Sequence, residues 1–371
     1  MSKTLQDYAT LVNDTIQSNE INHYITTDNM RQNLGGIDTL KNINIPQGKV
    51  RSFQKDDVLL SNIRLYFRKV YRAKQKGGCS SDVLVFRAKH IDSATLFAIL
   101  SSQIFTDYAC SGSQGSKMPR GNKTHMMDFK IPTINFTIAK IFNSIQNKIE
   151  NNHKINELLH KILELLYEQY FVRFDFLDEN NKPYQTSGGK MKFSKELNRL
   201  IPNNFEVKTL GELTQLKVGN KNANHSSNQG KYPFFTCSNN PLRCETYQFE
   251  GKYIIISGNG NFYVTHYDGK FDAYQRTYVV SPNNPNHYIL IYLFVKSYTN
   301  YLKLQSRGSI IKFITKSDIE NIKIVLPNLK TYAKWNNVLK MIENNNQSTQ
   351  TLTALRDFLL PLLLTQQVKP Q

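Results

Sequence analysis

The chain has 371 residues and an apolar content of 40%, enough to bury the cores of two or three domains. Its 47 Lys and Arg outnumber its 29 Asp and Glu, and the formal charge of +18 favours a polyanionic partner such as nucleic acid or an anionic membrane. The longest apolar runs, Tyr288–Val295 and Phe358–Leu364, fall far short of the roughly 18 residues of a membrane span, which argues against a transmembrane helix.

The sequence lacks the common signals for secretion, metal binding and catalysis. No basic segment followed by an apolar one opens the chain, so we expect a cytoplasmic protein. Four cysteines without a Cys-x-x-Cys pair and eight scattered histidines predict structural thiols and no metal site. No Gly-x-Gly-x-x-Gly after a strand, Walker loop or His-Glu-x-x-His motif is found, and residues 257–261 (SGNGN) are predicted to form a hairpin turn. We therefore predict no catalytic residue and no cofactor on this chain.

The globular elements come in the same order in each half. The first half has probable strands at 58–67 and 82–86, followed by a buried helix at 96–108. The second half has probable strands at 252–257 and 277–281, followed by an apolar segment at 289–301 for which helix is favoured and strand stays open. Strands and helices in both halves predict the α+β class.

Short sequence matches relate the halves to each other. Three of them share an offset of 193 residues, and a fourth, KTL at 3 and 208, has an offset of 205. Because several matches at one offset are hard to obtain by chance, we interpret the chain as two copies of one unit. The three matches are TDY at 106 with TNY at 299, GS at 115 and 308, and IENN at 149 and 342.

A long helical segment closes each copy, after Pro132 and after Pro327. Apolar heptads predict a coiled-coil seam in each helix. Asn152 and Asn345 hold the same heptad position near the middle, where a buried polar pair would fix the helix register, although a solvated kink is nearly as good an interpretation. The predicted seams are Ile138, Ile141, Ile145, Lys148, Asn152, Ile155, Leu159, Ile162, Leu166 and Val338, Met341, Asn345, Ser348, Leu352, Leu355, Leu359, Leu362.

These patterns divide the chain into four parts: a globular part at 1–130, a spacer helix at 131–175, a linker and second globular part at 176–325, and a C-terminal spacer helix at 326–368. Residues 1–130 carry 18 basic and 11 acidic side chains (+7), and residues 176–325 carry 19 and 11 (+8). The charge excess therefore lies mainly on the two globular parts. This distribution favours two separate nucleic-acid contacts.

The segment 64–76 (RLYFRKVYRAKQK) is the most basic run of the first half. It combines six basic residues with three aromatic ones and contains no acidic residue. Basic groups suit phosphates and aromatic rings can pack on sugars or bases, so DNA contact is the favoured interpretation. The alternative is a solvated strand edge, where lysines discourage aggregation.

The run 165–213 (LLYEQYFVRFDFLDENNKPYQTSGGKMKFSKELNRLIPNNFEVKTLGEL) resembles the central junction of the DNA-specificity (S) subunits of type I restriction-modification enzymes. The segment 61–73 (SNIRLYFRKVYRA), the Gly-Ser loop before each helix and the terminal 355–364 (LRDFLLPLLL) extend the resemblance over nearly the whole chain. Tyr170 departs from the pattern, since such proteins often have Trp there.

The resemblance implies a fold and a set of partners. Two pseudo-twofold-related mixed α/β target recognition domains would each read half of an interrupted duplex DNA site, and two long antiparallel coiled-coil helices would join them. Such subunits recruit two methyltransferase (modification) subunits and, through them, nuclease/translocase (restriction) subunits. S-adenosylmethionine, ATP and Mg²⁺ would then belong to the partners, and this chain would be a non-catalytic component.

Basic and aromatic residues near the Gly-Ser loops and in the segment 64–76 are the candidate DNA contacts, because Arg can pair with guanine edges and Lys with phosphates. The alternatives are a non-catalytic coiled-coil scaffold and a sequence-indifferent nucleic-acid-binding protein. The candidates are Arg64, Arg68, Arg72, Lys117, Arg120 and Lys123 in the first half, and Tyr263, His266, Arg276, Lys303, Arg307 and Lys312 in the second.

Overall fold

A computed structural model describes residues 3–38, 43–131, 134–227, 229–327, 332 and 334–363. The chain divides into two compact units. Unit 1 comprises the chain up to Glu157 and from Glu343 onward, and unit 2 comprises Leu158–Ile342. No helix in the described ranges is long and apolar enough to cross a membrane.

Unit 1 is built on two four-stranded sheets formed by its described residues. One has the strand order β1-β8-β5-β6, and the other has the order β2-β4-β7-β3, in which β3 and β7 run parallel. The strands are β1 (Ala9–Val12), β2 (Thr15–Gln17), β3 (Tyr24–Ile25), β4 (Lys49–Phe53), β5 (Val58–Ser61), β6 (Val70–Arg72), β7 (Gly77–Cys79) and β8 (Val83–Ala88). The helices are α1 (Leu5–Tyr8), α2 (Ser93–Ser101), α3 (Gln103–Ser111), α4 (Lys123–Met127) and the first part of α5 (Phe136–Tyr167).

Strand β5 explains why the central strands are apolar throughout. Val58 and Leu60 pack on the core beneath α2, whereas Leu59 points into a second core on the other face of the sheet. Alternate side chains of a strand face opposite sides, so a strand covered on both faces must be apolar at every position. Unit 2 repeats this arrangement, because Ile254 and Ile256 face the helical core and Ile255 faces a separate one.

In unit 2 the described residues form a six-stranded sheet of order β12-β17-β15-β16-β13-β14, with the pairs β9-β10 and β11-β18 beside it. Strands β13 and β16 run parallel, as β3 and β7 do in unit 1. The strands are β9 (Met191–Ser194), β10 (Arg199–Pro202), β11 (Glu206–Thr209), β12 (Thr214–Val218), β13 (Tyr232–Phe235), β14 (Leu242–Cys244), β15 (Phe249–Ser257), β16 (Val264–Ala273), β17 (Thr277–Pro282) and β18 (Lys323–Leu326). The helices are α6 (Leu210–Leu213), α7 (Tyr288–Ser297), α8 (Thr299–Gln305), α9 (Lys316–Glu320) and the first part of α10 (Trp335–Leu359).

The buried helix predicted at 96–108 is two helices, α2 and α3. Ser102 between them has an extended backbone, and its hydroxyl accepts a hydrogen bond from the Phe105 amide at 3.1 Å. This N-cap starts a new helix, because a serine oxygen satisfies an amide that lacks an intrahelical partner. The corresponding segment of unit 2 is helical and not a strand, and it also divides, into α7 and α8.

The long helices α5 and α10 run antiparallel within unit 1, where Gln146 contacts Arg356 and Asn156 contacts Asn346. The predicted seam is only half right. Positions such as Ile138, Ile145 and Asn152 are buried, but the alternate seam positions are exposed, and the residues that follow them are buried instead. The exposed members are Ile141, Lys148, Ile155, Ile162, Met341 and Leu355, and their buried neighbours are Phe142, Ile149, Asn156, Leu163, Ile342 and Arg356.

This shift arises because α5 packs on the globular part of unit 1 as well as on α10. Phe142 meets Phe97 of α2 with ring centroids 5.5 Å apart, and Gln146 donates a hydrogen bond to the Leu34 carbonyl at 2.6 Å. A face with two neighbours is wider than a coiled-coil seam, so the spacing of buried residues follows both contacts.

Pro132, Thr331 and residues 364–368, where predicted helix ends fall, lie outside the described residues. The four-part division of the chain stays a prediction.

Candidate nucleic-acid interface

A short hairpin loop carries the Gly-Ser pair of each unit. In unit 1 the backbones of Gln114 and Arg120 exchange two hydrogen bonds of 2.9 Å, and in unit 2 those of Arg307 and Phe313 exchange bonds of 3.0 and 2.8 Å. Both pairs are related by the offset of 193 (307 − 114 and 313 − 120). The second residue of each loop is a glycine at positive φ, 96° in unit 1 and 100° in unit 2, a conformation that other residues adopt only with strain.

Each hairpin is held by the turn between two central strands. In unit 1 the β5–β6 connection contributes the Arg64 amide, which donates to the Pro119 carbonyl at 2.9 Å. In unit 2 the β15–β16 connection contributes the Gly260 amide, which donates to the Lys312 carbonyl at 2.8 Å. The predicted hairpin turn at 257–261 is confirmed as this connection. Strand turn and Gly-Ser hairpin therefore form one surface in each unit, which we call the paired-loop surface.

The paired-loop surface of unit 1 is cationic. Lys117 and Lys123 are exposed, and Arg120 is exposed but bonded to Asp82, with 2.9 Å between guanidinium and carboxylate. Arg64 has a left-handed backbone conformation, with φ of 50°, and its guanidinium reaches toward the Lys117 carbonyl at 3.4 Å. Four of the six candidate residues of unit 1 thus lie together, in an arrangement suited to phosphate oxygens.

The other two candidates of unit 1 turn inward. The Arg68 guanidinium donates to the Ser101 carbonyl of α2 at 2.8 Å, and burial lowers the pKa of this group. Arg72 points to Ser93 at the start of α2 and lies 3.8 Å from the Asp56 carboxylate. The strand predicted at 58–67 ends at Ser61, and the segment 64–76 forms a 3-10 turn at Leu65–Phe67 and then β6. A DNA-contact role for Arg68 and Arg72 stays a prediction, and their observed partners are protein groups.

In unit 2 the surface has a different composition. Arg307 flanks the hairpin and lies 3.2 Å from the Asp318 carboxylate, and Lys312 is exposed at the other side. The tip between them is apolar, because Ile310 is 95% exposed and Ile311 is 62% exposed. Sequence reasoning missed these isoleucines. The signal was available as two adjacent β-branched residues immediately after a Gly-Ser turn.

The remaining candidates of unit 2 do not all lie on this surface. Tyr263 does, because it belongs to the β15–β16 turn, where the Asn261 amide donates to its hydroxyl at 3.1 Å. Arg276 and Lys303 are exposed. His266 does not join them, because its ring packs edge-on against Tyr292, with centroids 4.9 Å apart. Burial lowers the pKa of His266 to about 3, so the ring is neutral near pH 7.

Asparagines connect α5 and α10 inside unit 1. Asn152 is 1% exposed, and its amide donates to the Thr349 hydroxyl at 3.1 Å and to the Asn345 carbonyl at 3.5 Å. Asn345 in turn donates to the Asn156 side chain at 2.9 Å. Asn152 and Asn345 were predicted from the sequence, and Asn156 was not. Their effect on helix register stays a prediction, supported by these contacts.

Among the described residues, one group could hold a metal ion: His225, Cys244 and Asp272 of unit 2. No metal site was predicted from the sequence, because its cysteines form no Cys-x-x-Cys pair and its histidines are scattered singly. These three residues are 19 and 28 positions apart (244 − 225 and 272 − 244). Only the folded sheet brings them together, away from any recognisable ligand spacing.

The comparisons with known proteins point to one kind of protein. Residues 202–355 match the model described as type I restriction modification DNA specificity domain. This part of the chain, which lies mainly in the second half, is therefore similar to that specificity domain. Two curated relatives carry the same designation. The type I restriction enzyme EcoDI specificity subunit of Escherichia coli is 37% identical over 132 residues, and the MjaIX specificity subunit of Methanocaldococcus jannaschii is 24% identical over 301 residues.

The extent of these matches differs. The E. coli alignment covers 34% of this chain and 28% of that protein, so the chain spans less than a third of the relative's length, whereas the archaeal alignment covers 72% and 67%. A crystal structure of the S subunit of a type I restriction-modification system from M. genitalium is similar in fold, with a TM-score of 0.61 at 16% identity, over 99% of this chain and 96% of that chain. The predicted resemblance to type I specificity subunits and the mixed α/β fold class with two helix-joined modules are thus confirmed.

Proposed function

We propose that this chain is the DNA sequence-specificity subunit of a type I restriction-modification complex and reads a bipartite, interrupted duplex site. Each unit would bind one half-site through its paired-loop surface. The observation that carries the proposal is the recurrence of this surface at one offset, with basic residues in both copies and different residues at the two tips. Two copies of one backbone arrangement that expose different side chains at their hairpin tips suit two half-sites of different base sequence.

The chemistry of the two surfaces supports duplex DNA as the ligand. Lys117 and Lys123 in unit 1 and Lys312 in unit 2 are exposed cations that can pair with phosphates. Ile310 at the tip of unit 2 can contact the methyl group of thymine in a major groove. Phosphate contacts would position each unit, and the tips would contribute base readout.

The partners follow from the same proposal. Two methyltransferase subunits would bring S-adenosylmethionine to the target bases, and restriction subunits would bring ATP and Mg²⁺. This chain would be cytoplasmic and non-catalytic, and would supply specificity alone. The curated relatives are themselves named specificity subunits.

We further propose that α5 and α10 set the gap between the half-sites. Helix α5 has 32 residues, which is about 48 Å at 1.5 Å per residue, a length comparable to one turn or more of DNA. Inserting one heptad after Asn152 and one after Asn345 would keep the helix faces aligned and add about 10 Å, or roughly three base pairs.

The decisive experiment is methylation mapping of genomic DNA after co-expression of the chain with its modification subunit. We expect one bipartite motif for the wild type, and for the heptad-insertion variant the same two half-sites at a gap longer by about three base pairs. Replacing Lys117 and Lys123 by Ala should weaken selection of one half-site, and replacing Arg307 and Lys312 should weaken that of the other.

A matched control is Lys140→Ala with Lys161→Ala, which removes two exposed charges from α5 outside the paired-loop surfaces. Its methylation motif should equal that of the wild type. Loss of both half-sites from a change in one unit would contradict the assignment of one half-site to each unit. An active heptad-insertion variant with the original gap would contradict the role of the helices.

A further inference from the structure

A compact group of potential metal ligands lies at one side of the large sheet of unit 2. His225 comes from the 3-10 turn Ala223–His225, Cys244 ends the strand β14, and Asp272 lies near the end of β16. One ligand atom from each residue lies within 4.8 Å of the others. His225 Nε2 and Asp272 Oδ2 lie 3.1 Å apart. Three distant segments therefore present nitrogen, sulfur and oxygen to one point.

The carboxylate at this point is unusually enclosed. Asp272 has no solvent exposure, and while its Oδ2 accepts a hydrogen bond from Thr246, its Oδ1 has no hydrogen-bond partner among the described residues. Cys244 is equally buried, and its thiol lies 3.2 Å from the Thr246 carbonyl. A buried carboxylate oxygen without a partner is costly, so it indicates a group that completes its coordination.

Unit 1 provides an internal comparison, because Gly78 occupies the place of Asp272. Gly78 pairs with Tyr24 of β3 as Asp272 pairs with Phe234 of β13. A Cβ atom on Gly78 would lie 2.5 Å from Ile21 Cδ1 and 2.7 Å from Val50 Cγ2, so apolar side chains fill this space in unit 1. The strand arrangement that the two units share therefore does not require a polar side chain at this position, and the polar cluster is particular to unit 2.

We propose that His225, Cys244 and Asp272 bind a zinc ion, with water as the fourth ligand. Zn²⁺ accepts nitrogen, sulfur and oxygen donors in tetrahedral geometry, with ligand atoms roughly 3 to 4 Å apart. The Cys244 thiol releases its proton to solvent on binding, and the thiolate and the Asp272 carboxylate together neutralise the 2+ charge of the ion. Water reaches the ion from the side of His225, whose side chain is 24% exposed.

The ion would fasten the edge of the sheet. The segment from His225 to Cys244 includes the β13–β14 hairpin, which joins the large sheet through two parallel residue pairs between β13 and β16. A ligand on each side of this hairpin and a third on β16 tie it to the sheet. The site is thus structural, and it is independent of whether unit 2 binds DNA.

The test is the metal content of the full-length chain, measured by elemental mass spectrometry after purification without chelator and after loading with zinc and desalting. We expect about one zinc ion per chain in the wild type. Cys244→Ser and His225→Gln should lose it, and His225→Gln keeps the protein testable because its side chain is partly exposed. Cobalt substitution should give the charge-transfer absorption of a Co(II)–thiolate in the wild type and not in Cys244→Ser.

The matched control is Cys79→Ser, which changes the buried thiol of unit 1 and should leave the zinc content and the cobalt spectrum unchanged. A chelator should lower the thermal midpoint of the wild type and of Cys79→Ser but not that of Cys244→Ser. Substoichiometric metal in the loaded wild type, or an unchanged zinc content in Cys244→Ser, would overturn the proposal. Either result would leave a hydrogen bond from His225 to Asp272 as the sole function of the cluster.

Discussion

Units 1 and 2 share the order of their helices and strands and differ in the side chains that their corresponding loops expose. Helix α1 and strand β1 correspond to α6 and β12 at an offset of 205, and α4 corresponds to α9 at an offset of 193. At the paired-loop surfaces, however, unit 1 presents Lys117, Arg120 and Lys123, whereas unit 2 combines Arg307 and Lys312 with the exposed Ile310 and Ile311. Backbone geometry is therefore maintained where it fixes the loops, and side chains vary where they can reach a ligand.

The difference between the two paired-loop surfaces suggests how one backbone arrangement can bind two different half-sites. Cationic side chains gain most from phosphates, and their contribution falls with salt. Exposed isoleucines gain from apolar contact with bases, which salt affects little. If both surfaces bind DNA, unit 1 should depend on charge more strongly than unit 2 does.

The largest expected effect follows from that difference. Replacing Lys117, Arg120 and Lys123 together by Ala should reduce the slope of log affinity against log salt by about 2.7 for three phosphate contacts, and should weaken binding roughly a hundredfold at low salt. Replacing Arg307 and Lys312 should reduce the slope by about 1.8. Titrations of a duplex that contains the mapped site, at several salt concentrations, measure both slopes.

The double variant Lys140→Ala with Lys161→Ala on α5 is the control for net charge. Its slope of log affinity against log salt should equal that of the wild type. Equal slopes for the wild type and the unit 1 triple variant would show that these cations do not face phosphates. The comparison of the units would then rest on their tips alone.

The next effect concerns the two glycines. A Cβ atom on Gly308 would lie 2.3 Å from the Ile311 carbonyl oxygen, whereas one on Gly115 would have no neighbour closer than 3.6 Å. Both glycines have positive φ, so each Ala substitution costs about 1–2 kcal/mol of backbone strain, and Gly308→Ala must also move the tip. Affinity for DNA should fall more than tenfold for Gly308→Ala and less for Gly115→Ala. Equal losses would indicate that the tip geometry of unit 2 does not matter.

The frame was largely predictable and the direction of side chains was not. Apolar runs located strands β5, β8, β15 and β17, because strands covered on both faces are apolar throughout. Charge alone could not tell that Arg68 faces the Ser101 carbonyl while Lys117 faces solvent. Both Arg64 and Arg68 have a left-handed backbone conformation, which a sequence pattern does not reveal.

The predicted coiled-coil seam was partly wrong for a related reason. Heptads predict the face between two helices, but α5 also packs on α2 and on the Leu34 loop. Phe142 and Asn156 therefore take the places predicted for Ile141 and Ile155. The proposed zinc ligands were missed because Cys244 and Asp272 come close only through the pairing of β14 with β13 and of β13 with β16.

A smaller effect distinguishes the helix contacts of the two units. In unit 1 they are polar, with Asn156 bonded to Asn345 and Asn346, whereas in unit 2 Trp335 packs on Tyr170 with ring centroids 5.2 Å apart. Asn156→Leu removes two partners at once and should lower the free energy of unfolding by about 1–2 kcal/mol. Denaturant titration of the full chain measures it. Asn151→Leu, at an exposed neighbouring position, should change it by less than about 0.5 kcal/mol.

The smallest expected effect is a response of unit 2 to acid. His266 lies against Tyr292 and Tyr288, and burial, followed by the nearby positive charges of His160, Lys252 and Lys296, lowers its pKa from 6.5 to about 3. Below pH 6.5 the unfolded chain binds a proton at this residue that the folded chain does not bind. The stability from the neutral ring is therefore complete above pH 6.5 and is lost as the pH falls.

At pH 5.5, one unit below the unfolded value, this loss amounts to about 1.4 kcal/mol. His266→Phe keeps a ring between the two tyrosines and has no proton to bind, so its free energy of unfolding should decline less between pH 7.5 and pH 5.5 than that of the wild type, by about that amount. Denaturant titrations at both pH values give the two declines. The other histidines with lowered pKa, such as His153 in unit 1, remain in both proteins and cancel in the comparison. Equal declines would mean that the ring of His266 is protonated in the folded protein.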